Sequence, residues 1–251
     1  MGADSKAEKL KLLLPDGKAL WVPIDHAVSN YPISGLSNIE NTIDSLSDVD
    51  AIVAHKGVVS RFSGGENPPF IMHISASTIH GGEKKDDKIL VGTVKEAIAR
   101  GAIGVSVQVN IGSVFENDML ERLGHISNQC HKLKIPLLGM IYARGPNLNL
   151  DKNDTTKGIA HAARIGWELG CDIIKTTWTG DIDSFKIVTS SVPIPILVAG
   201  GENSDDFSKI TEMVKDAVDA GAAGVCMGRQ IFESNDMENR INILNEILRR
   251  G

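Results

Sequence analysis

Short apolar runs rich in β-branched residues alternate with longer amphipathic stretches along the whole chain. That rhythm predicts repeated strand-then-helix units in a parallel sheet. Eight runs read as strands, at residues 20–25, 51–55, 70–75, 104–110, 136–142, 172–176, 195–200 and 224–228. Most are nearly continuous apolar segments, as strands buried on both faces require. Helices are predicted over 38–46, 94–100, 113–133, 155–169, 183–189, 204–220 and 237–250, with Ser204 and Asp205 suited to start the sixth. Gly101, Gly170 and Gly221 stand just past three of these helices, where a left-handed residue commonly ends one.

An open doubly wound sheet would share this alternation but would carry a glycine-rich fingerprint after its first strand. Here Val22 is followed by Pro-Ile-Asp-His. The expected fold is therefore α/β, a single TIM (β/α)8 barrel forming one catalytic domain over residues 1–251. The stretch 75–93 breaks the short-loop pattern: it is polar, charged at 83–88, and holds a possible extra strand at 88–91. It reads as a loop over the barrel mouth.

Composition changes this picture little. A formal net charge of −6 offers no overall basic field, so neither nucleic acid nor an anionic membrane surface is an expected partner. Residues 1–20 carry Asp4, Glu8, Lys9 and Lys11 and lack the apolar core of a signal peptide, and no later stretch is long enough to span a bilayer. The expected location is the cytoplasm. Cys130, Cys171 and Cys226 are widely spaced and read as reduced, mostly buried thiols. The histidines at 26, 55, 73, 80, 125, 131 and 161 show no paired ligand spacing, so no metal site is expected.

In a TIM barrel the reactive groups sit at the C-terminal ends of the strands. Lys175 ends the sixth run in Cys-Asp-Ile-Ile-Lys-Thr-Thr. Aliphatic surroundings there would disfavour its ammonium, lower its pKa and leave a nucleophilic amine able to form an imine. Taken alone, the same lysine could equally pack its stem on the rim and keep its head in water. Asp25 and His26 end the first run, where an acid could move a proton, or where the pair could simply cap a loop. Tyr142 ends the fifth run beside the Lys175 strand, and its hydroxyl could donate a proton to a carbonyl or alkoxide. Arg144 could orient a carboxylate or phosphate, or form a rim salt bridge. Gly200 and Gly201 after the seventh run, with Gly228 and Arg229 after the eighth, lie where barrels often bind phosphate through backbone N–H groups, although glycine turns also serve tight packing. Lys56, His73, Ser75 and Asn110 point toward the same mouth if the register is right.

Several motifs taken together resemble the archaeal-type class I aldolase family. They are Pro-Ile-Asp-His-Ala-Val-Ser-Asn at 23–30, Tyr-Ala-Arg-Gly at 142–145, Ile-Lys-Thr-Thr-Trp-Thr-Gly-Asp-Ile-Asp-Ser-Phe at 174–185, then Ala-Gly-Gly and Gly-Arg. The resemblance spans nearly the whole chain and is strongest to a heptulosonate-forming branch, through Val-Ser-Asn and Thr-Gly-Asp-Ile-Asp-Ser-Phe. It implies that Lys175 is the Schiff-base lysine, Tyr142 the proton donor and Asp25 the proton acceptor. It further implies substrate contacts from His26, Ala27, Val28, Ser29, Ala143, Arg144, Gly200, Gly201, Gly228 and Arg229. No cofactor is implied.

The implied reaction moves a three-carbon unit from 6-deoxy-5-ketofructose 1-phosphate to L-aspartate 4-semialdehyde, toward 3-dehydroquinate and aromatic amino acids. The implied partners are phosphorylated keto sugar and aldehyde substrates and further copies of the chain, in a homo-oligomer that is often a decamer. The chain departs from the family pattern at Ala27, where glycine is typical, at Ala143, where proline is typical, and at Glu202, where proline often follows the paired glycines. Substrate identity is the property these departures touch. Two alternatives stand beside this reading. One is a class I aldolase using dihydroxyacetone phosphate, either cleaving fructose 1,6-bisphosphate or joining the triose to aspartate semialdehyde. The other is a non-catalytic phosphosugar-binding barrel, which would have no need for Lys175 or Tyr142.

Overall fold

The computed structural model describes residues 5–148, 155–201 and 206–249. Eight parallel strands close into a barrel: β1 (Ala19–Pro23), β2 (Ala51–Ala54), β3 (Phe70–His73), β4 (Gly104–Ile111), β5 (Leu137–Ala143), β6 (Ile173–Thr176), β7 (Ile196–Ala199) and β8 (Gly224–Cys226). Each strand pairs with its neighbours in sequence, and β8 closes on β1 with Leu20 opposite Val225. All eight strands fall within the predicted runs or within one residue of them.

Alternation along each strand divides the apolar residues into two layers. Leu20, Val22, Ile52, Val105, Val107, Ile141, Ile174, Val198 and Val225 face outward and pack against the helices. Trp21, Val53, Ile71, Leu138, Met140, Ile173, Leu197 and Cys226 face inward and fill the barrel. The helices are α1 (Lys6–Leu13), α2 (His26–Ser29), α3 (Ile39–Asp44), α4 (Lys56–Phe62), α5 (Val94–Ala99), α6 (Glu116–Leu133), α7 (Thr156–Glu168), α8 (Ile182–Ser190), α9 (Phe207–Asp219), α10 (Arg229–Phe232) and α11 (Met237–Leu248). Gly101, Gly170 and Gly221 adopt φ of 90°, 91° and 93°, the left-handed ends expected of them. The predicted caps Ser204 and Asp205 lie outside the described residues; Asp206 caps α9, accepting from the Ser208 N–H at 3.1 Å.

Helix α1 was not foreseen. A capping box between Ser5 and Glu8 starts it, and its Leu10, Leu13 and Leu14 join the interior layer. It closes the N-terminal end of the barrel, where the Trp21 indole N–H donates to the Leu13 carbonyl at 2.7 Å. In the loop at the opposite mouth, the extra strand read at 88–91 is present as Ile89–Leu90, which pairs antiparallel with Ser75–Ala76. Among the described residues, no helix is long and apolar enough to cross a membrane.

Leu13 is fully buried against this interior layer, so truncating it leaves a cavity beneath Trp21. Leu13→Ala is expected to lower stability by about 2–5 kcal/mol, measured by urea denaturation. A change below about 0.5 kcal/mol would mean that α1 does not plug the barrel in solution.

Candidate active site

Strand register brings the chemistry together. Lys175 on β6 lies opposite Met140 on β5, and Tyr142 is two residues further along β5 on the same inward face. Asn110 on β4 is the partner of Tyr142, and Gln108 that of Met140. Gln108, Met140, Tyr142 and Lys175 open into a cavity of about 690 Å3 at the C-terminal mouth. Its lining includes Asp25, His26, Ser29, Tyr142, Ala143, Arg144, Lys175, Gly200, Gly201, Gly228 and Arg229. Of the residues the sequence pointed to, Ala27 and Val28 stay outside this lining: Ala27 packs on the outer core and Val28 is 40% exposed. Both follow the turn into α2, which carries their side chains away from the barrel axis.

Lys175 is 7% exposed. Burial alone would drive its pKa down, as the sequence suggested, but the net shift is upward. Cys226, Tyr142 and the Asp25 carboxylate favour the cation, and Lys175 hydrogen bonds the Cys226 sulfur. We correct the expectation accordingly: the resting group is an ammonium. Burial pushes both Tyr142 and Cys226 up while Lys175 acts on each in the opposite sense, so the lysine shares its charge balance with these two groups as well as with the Asp25 carboxylate.

Asp25 sits among cationic and imidazole groups. Burial opposes its charge, but His73, His26, Lys175 and His55 together bring its pKa down to about 2. The imidazole Nδ1 of His26 lies 3.5 Å from one carboxylate oxygen and Nε2 of His73 lies 3.9 Å from the other. Desolvation lowers His26 and His55, and takes His73 down to about 3. The Asp25 carboxylate acts on each ring in the opposite sense, so the three imidazoles and Lys175 form one electrostatic cluster around it. His73 is held in place by Ser106 at 2.8 Å and Ser75 at 3.3 Å, and His55 packs edge-on against it.

On the other side of the mouth, the glycine turns after β7 and β8 bring the backbone close to the cavity. A Cβ on Gly228 would sit 2.3 Å from the Pro23 carbonyl oxygen and 2.8 Å from His26 Cε1, so only glycine fits. Gly201 has φ of 68°. Arg229 lines the same region, and its Nε is buried without a hydrogen-bond partner. An orphaned guanidinium nitrogen beside two glycine turns suits an anion. Glu202 lies outside the described residues.

Four further sequence candidates separate. His73 and Ser75 reach the cavity and Asn110 supports its wall. Lys56 does not: it begins α4 and pairs with Glu96 at 3.0 Å, so its expected place at the mouth is corrected to a rim ion pair. Sequence reasoning passed over His55, Lys88, Gln108, Thr177, Cys226 and Glu233, which also line the cavity. For Cys226, the two-residue alternation from Gly224 was a usable signal.

A parallel eight-stranded barrel with an interior lysine at its C-terminal mouth is an arrangement suited to a Schiff-base (class I) aldolase. Residues 19–234 match the DeoC/LacD family aldolase, and the chain belongs to that family. The 2-amino-3,7-dideoxy-D-threo-hept-6-ulosonate synthase 1 of Archaeoglobus fulgidus is 37% identical over 233 residues, 92% of this chain and 85% of that protein. The 2-amino-4,5-dihydroxy-6-oxo-7-(phosphonooxy)heptanoate synthase of Streptomyces griseus is 34% identical over 231 residues, 90% of this chain and 83% of its own. Among solved structures, an archaeal fructose 1,6-bisphosphate aldolase superposes with a TM-score of 0.90 at 26% identity, covering 98% of this chain and 100% of that one. Another archaeal fructose-1,6-bisphosphate aldolase, with its catalytic lysine bound to a carbinolamine intermediate, gives 0.86 at 25% identity over 97% and 99%.

Because Lys175 rests as an ammonium, attack on a ketone requires deprotonation, and imine formation is expected to rise with pH through the neutral and alkaline range. Asp25→Asn removes the balancing carboxylate and lets desolvation count for more, so the profile should move toward acid. Borohydride trapping of hydroxyacetone as a function of pH checks this. Superimposable profiles for the two proteins would contradict the assigned coupling.

Proposed function

We propose that this chain is a transaldolase-type synthase. It transfers the three-carbon hydroxyacetone unit of 6-deoxy-5-ketofructose 1-phosphate to L-aspartate 4-semialdehyde, giving 2-amino-3,7-dideoxy-D-threo-hept-6-ulosonate. The observation that carries the reading is the buried Lys175 sharing one cavity with Tyr142 and Asp25, beside the glycine turns and Arg229. Identities of 37% and 35% to synthases of that product support the choice of substrates.

In the proposed cycle the neutral Lys175 amine attacks the ketone next to the donor's methyl group, Tyr142 gives a proton to the carbonyl oxygen, and water leaves to form the imine. Asp25 takes the proton from the hydroxyl whose carbon–carbon bond breaks. The bonding electrons pass to the imine, hydroxypyruvaldehyde phosphate departs, and an enamine remains on Lys175. The enamine attacks the aldehyde of the acceptor, whose oxygen takes the proton back from Asp25, and water then frees the lysine. Gly200, Gly201, Gly228 and Arg229 hold the phosphate in this reading, with His26, Ser29 and Ala143 along the sugar. The same resemblance extends the proposal to a cytoplasmic, ring-shaped homo-oligomer.

A second reading keeps the machinery and changes the donor to dihydroxyacetone phosphate. Its phosphate lies on the carbon next to the imine, which suits the nearness of the β7 and β8 turns to Lys175, and the 34% identity to the Streptomyces griseus synthase points the same way. The two readings differ at carbon seven of the product, a methyl group in one and a phosphorylated carbon in the other. Incubating the protein with L-aspartate 4-semialdehyde and each donor separately, and weighing the product, tests them. A phosphate-free amino-heptulosonate formed only from the deoxy sugar supports the proposal; a phosphorylated product formed only from the triose replaces it.

Two substitutions test the roles. Lys175→Ala is expected to abolish imine trapping and turnover together. Tyr142→Phe is expected to retain a trappable imine while slowing turnover about a hundredfold or more, read by stopped assay against trapped adduct. Equal loss of imine and turnover in Tyr142→Phe would move Tyr142 out of the proton-donor role.

A further inference from the structure

The cavity holds a second cationic region, away from the glycine turns. Lys88 enters it from the mouth loop, and Arg144 enters from the end of β5. In a closed eight-stranded barrel β4 lies across the axis from β8, so this corner, built on β3 to β5, faces the Gly228 and Arg229 turn.

Both cations are fixed by neutral partners. Lys88 Nζ donates to Ser77 Oγ at 2.7 Å, and Arg144 Nε donates to Asn110 Oδ1 at 2.8 Å. Arg144 also lies over the Tyr142 ring, 4.6 Å from its centroid. Neither forms an ion pair with a carboxylate among the described residues. Their mutual repulsion adds to burial in pushing the Lys88 ammonium down. The Asp25 and Asp86 carboxylates act on Lys88 in the opposite sense and offset that push only in part.

The framework that holds Lys88 is well tied. Its neighbour Asp87 pairs with Arg122 of α6, and the Lys88 carbonyl accepts from the same guanidinium at 3.1 Å. Asn110 donates its amide to the Asp86 carbonyl at 3.1 Å, and the Val91 N–H donates to Ile74 at 2.9 Å. The loop thus presents its ammonium from a position set on both sides, as a preformed ligand site requires.

We propose that Lys88 and Arg144 form the subsite for the α-carboxylate of the acceptor aldehyde, a small amino acid bearing a terminal aldehyde. A carboxylate between them would receive a forked guanidinium and an ammonium, the charge-assisted bonds that such an anion favours. In L-aspartate 4-semialdehyde the carboxyl carbon is three bonds from the reacting carbon. This separation lets the aldehyde lie over an enamine on Lys175 while the carboxylate reaches across to the β3 to β5 side. The site would act in selection: an aldehyde without the carboxylate would forgo both charge-assisted bonds. This inference rests on the synthase reading given above, and it assigns the acceptor's anionic end to a place distinct from the donor phosphate.

The test uses Lys88→Gln in the full-length protein, with three acceptors and one control. The acceptors are L-aspartate 4-semialdehyde, succinic semialdehyde, which keeps only the carboxylate, and propanal, which has no charge. Expected is a rise in KM of about tenfold or more for both carboxylated aldehydes, from the loss of one charge-assisted bond. No rise is expected with propanal, and Lys88→Arg should restore much of the loss. Borohydride trapping of hydroxyacetone should match wild type, showing that the variant is folded and forms its imine. Equal KM changes for propanal and the carboxylated aldehydes, or a rise in donor KM alone, would overturn the subsite. If the wild type itself fails to trap hydroxyacetone, the synthase reading fails and not merely the subsite.

Discussion

The charge balance between the Lys175 ammonium and the Asp25 carboxylate is the constraint around which the mouth of this barrel is built. Each is largely removed from water, and either alone would be expensive. Burial opposes both charges, yet Lys175 is held above its ordinary pKa by Cys226, Tyr142 and Asp25, and Asp25 is held below its own by His73, His26, Lys175 and His55. The surrounding groups fit that balance. Desolvation lowers His26, His55 and His73 while the Asp25 carboxylate pulls each of them the other way. Burial raises Tyr142 and Cys226 while Lys175 acts on each in the opposite sense.

This balance depends on the barrel interior below it. Trp21, Ile71, Leu138, Ile173 and Leu197 fill the axis, and Met140 lies opposite Lys175 in register. Helix α1 seals the far end, so the lysine stem rises from a dry floor and only its head reaches the cavity. Function and stability thus occupy the two ends of the same strands, the general division of labour in this fold.

Much of this was legible in the sequence because strand alternation and glycine punctuation are local signals. The eight strands and the glycine ends of helices at residues 101, 170 and 221 follow from them directly. Asp25, Tyr142 and Lys175 were legible because each closes an apolar run. What escaped depended on neighbours distant in sequence. The leucines of α1 gain meaning only from Trp21, which they cover. Gln108 lies mid-strand, but strands in a barrel are tilted, so the mouth meets each at a different depth. Lys56 left the alternation on entering α4, and its rotation toward Glu96 could not be read from position alone. The direction of the Lys175 shift was missed for the same reason: burial is visible in a sequence, whereas Cys226 on β8, Tyr142 on β5 and the Asp25 carboxylate after β1 meet the lysine only in the closed barrel.

The central claim is that Lys175 carries the covalent intermediate, and the most direct measurement is reduction with borohydride in the presence of 6-deoxy-5-ketofructose 1-phosphate, followed by mass mapping of the digested protein. The account predicts a single adduct on the peptide containing Lys175, with the mass of the reduced three-carbon hydroxyacetone unit or of the whole donor. A fully active protein with no adduct, or an adduct confined to another lysine, would contradict it.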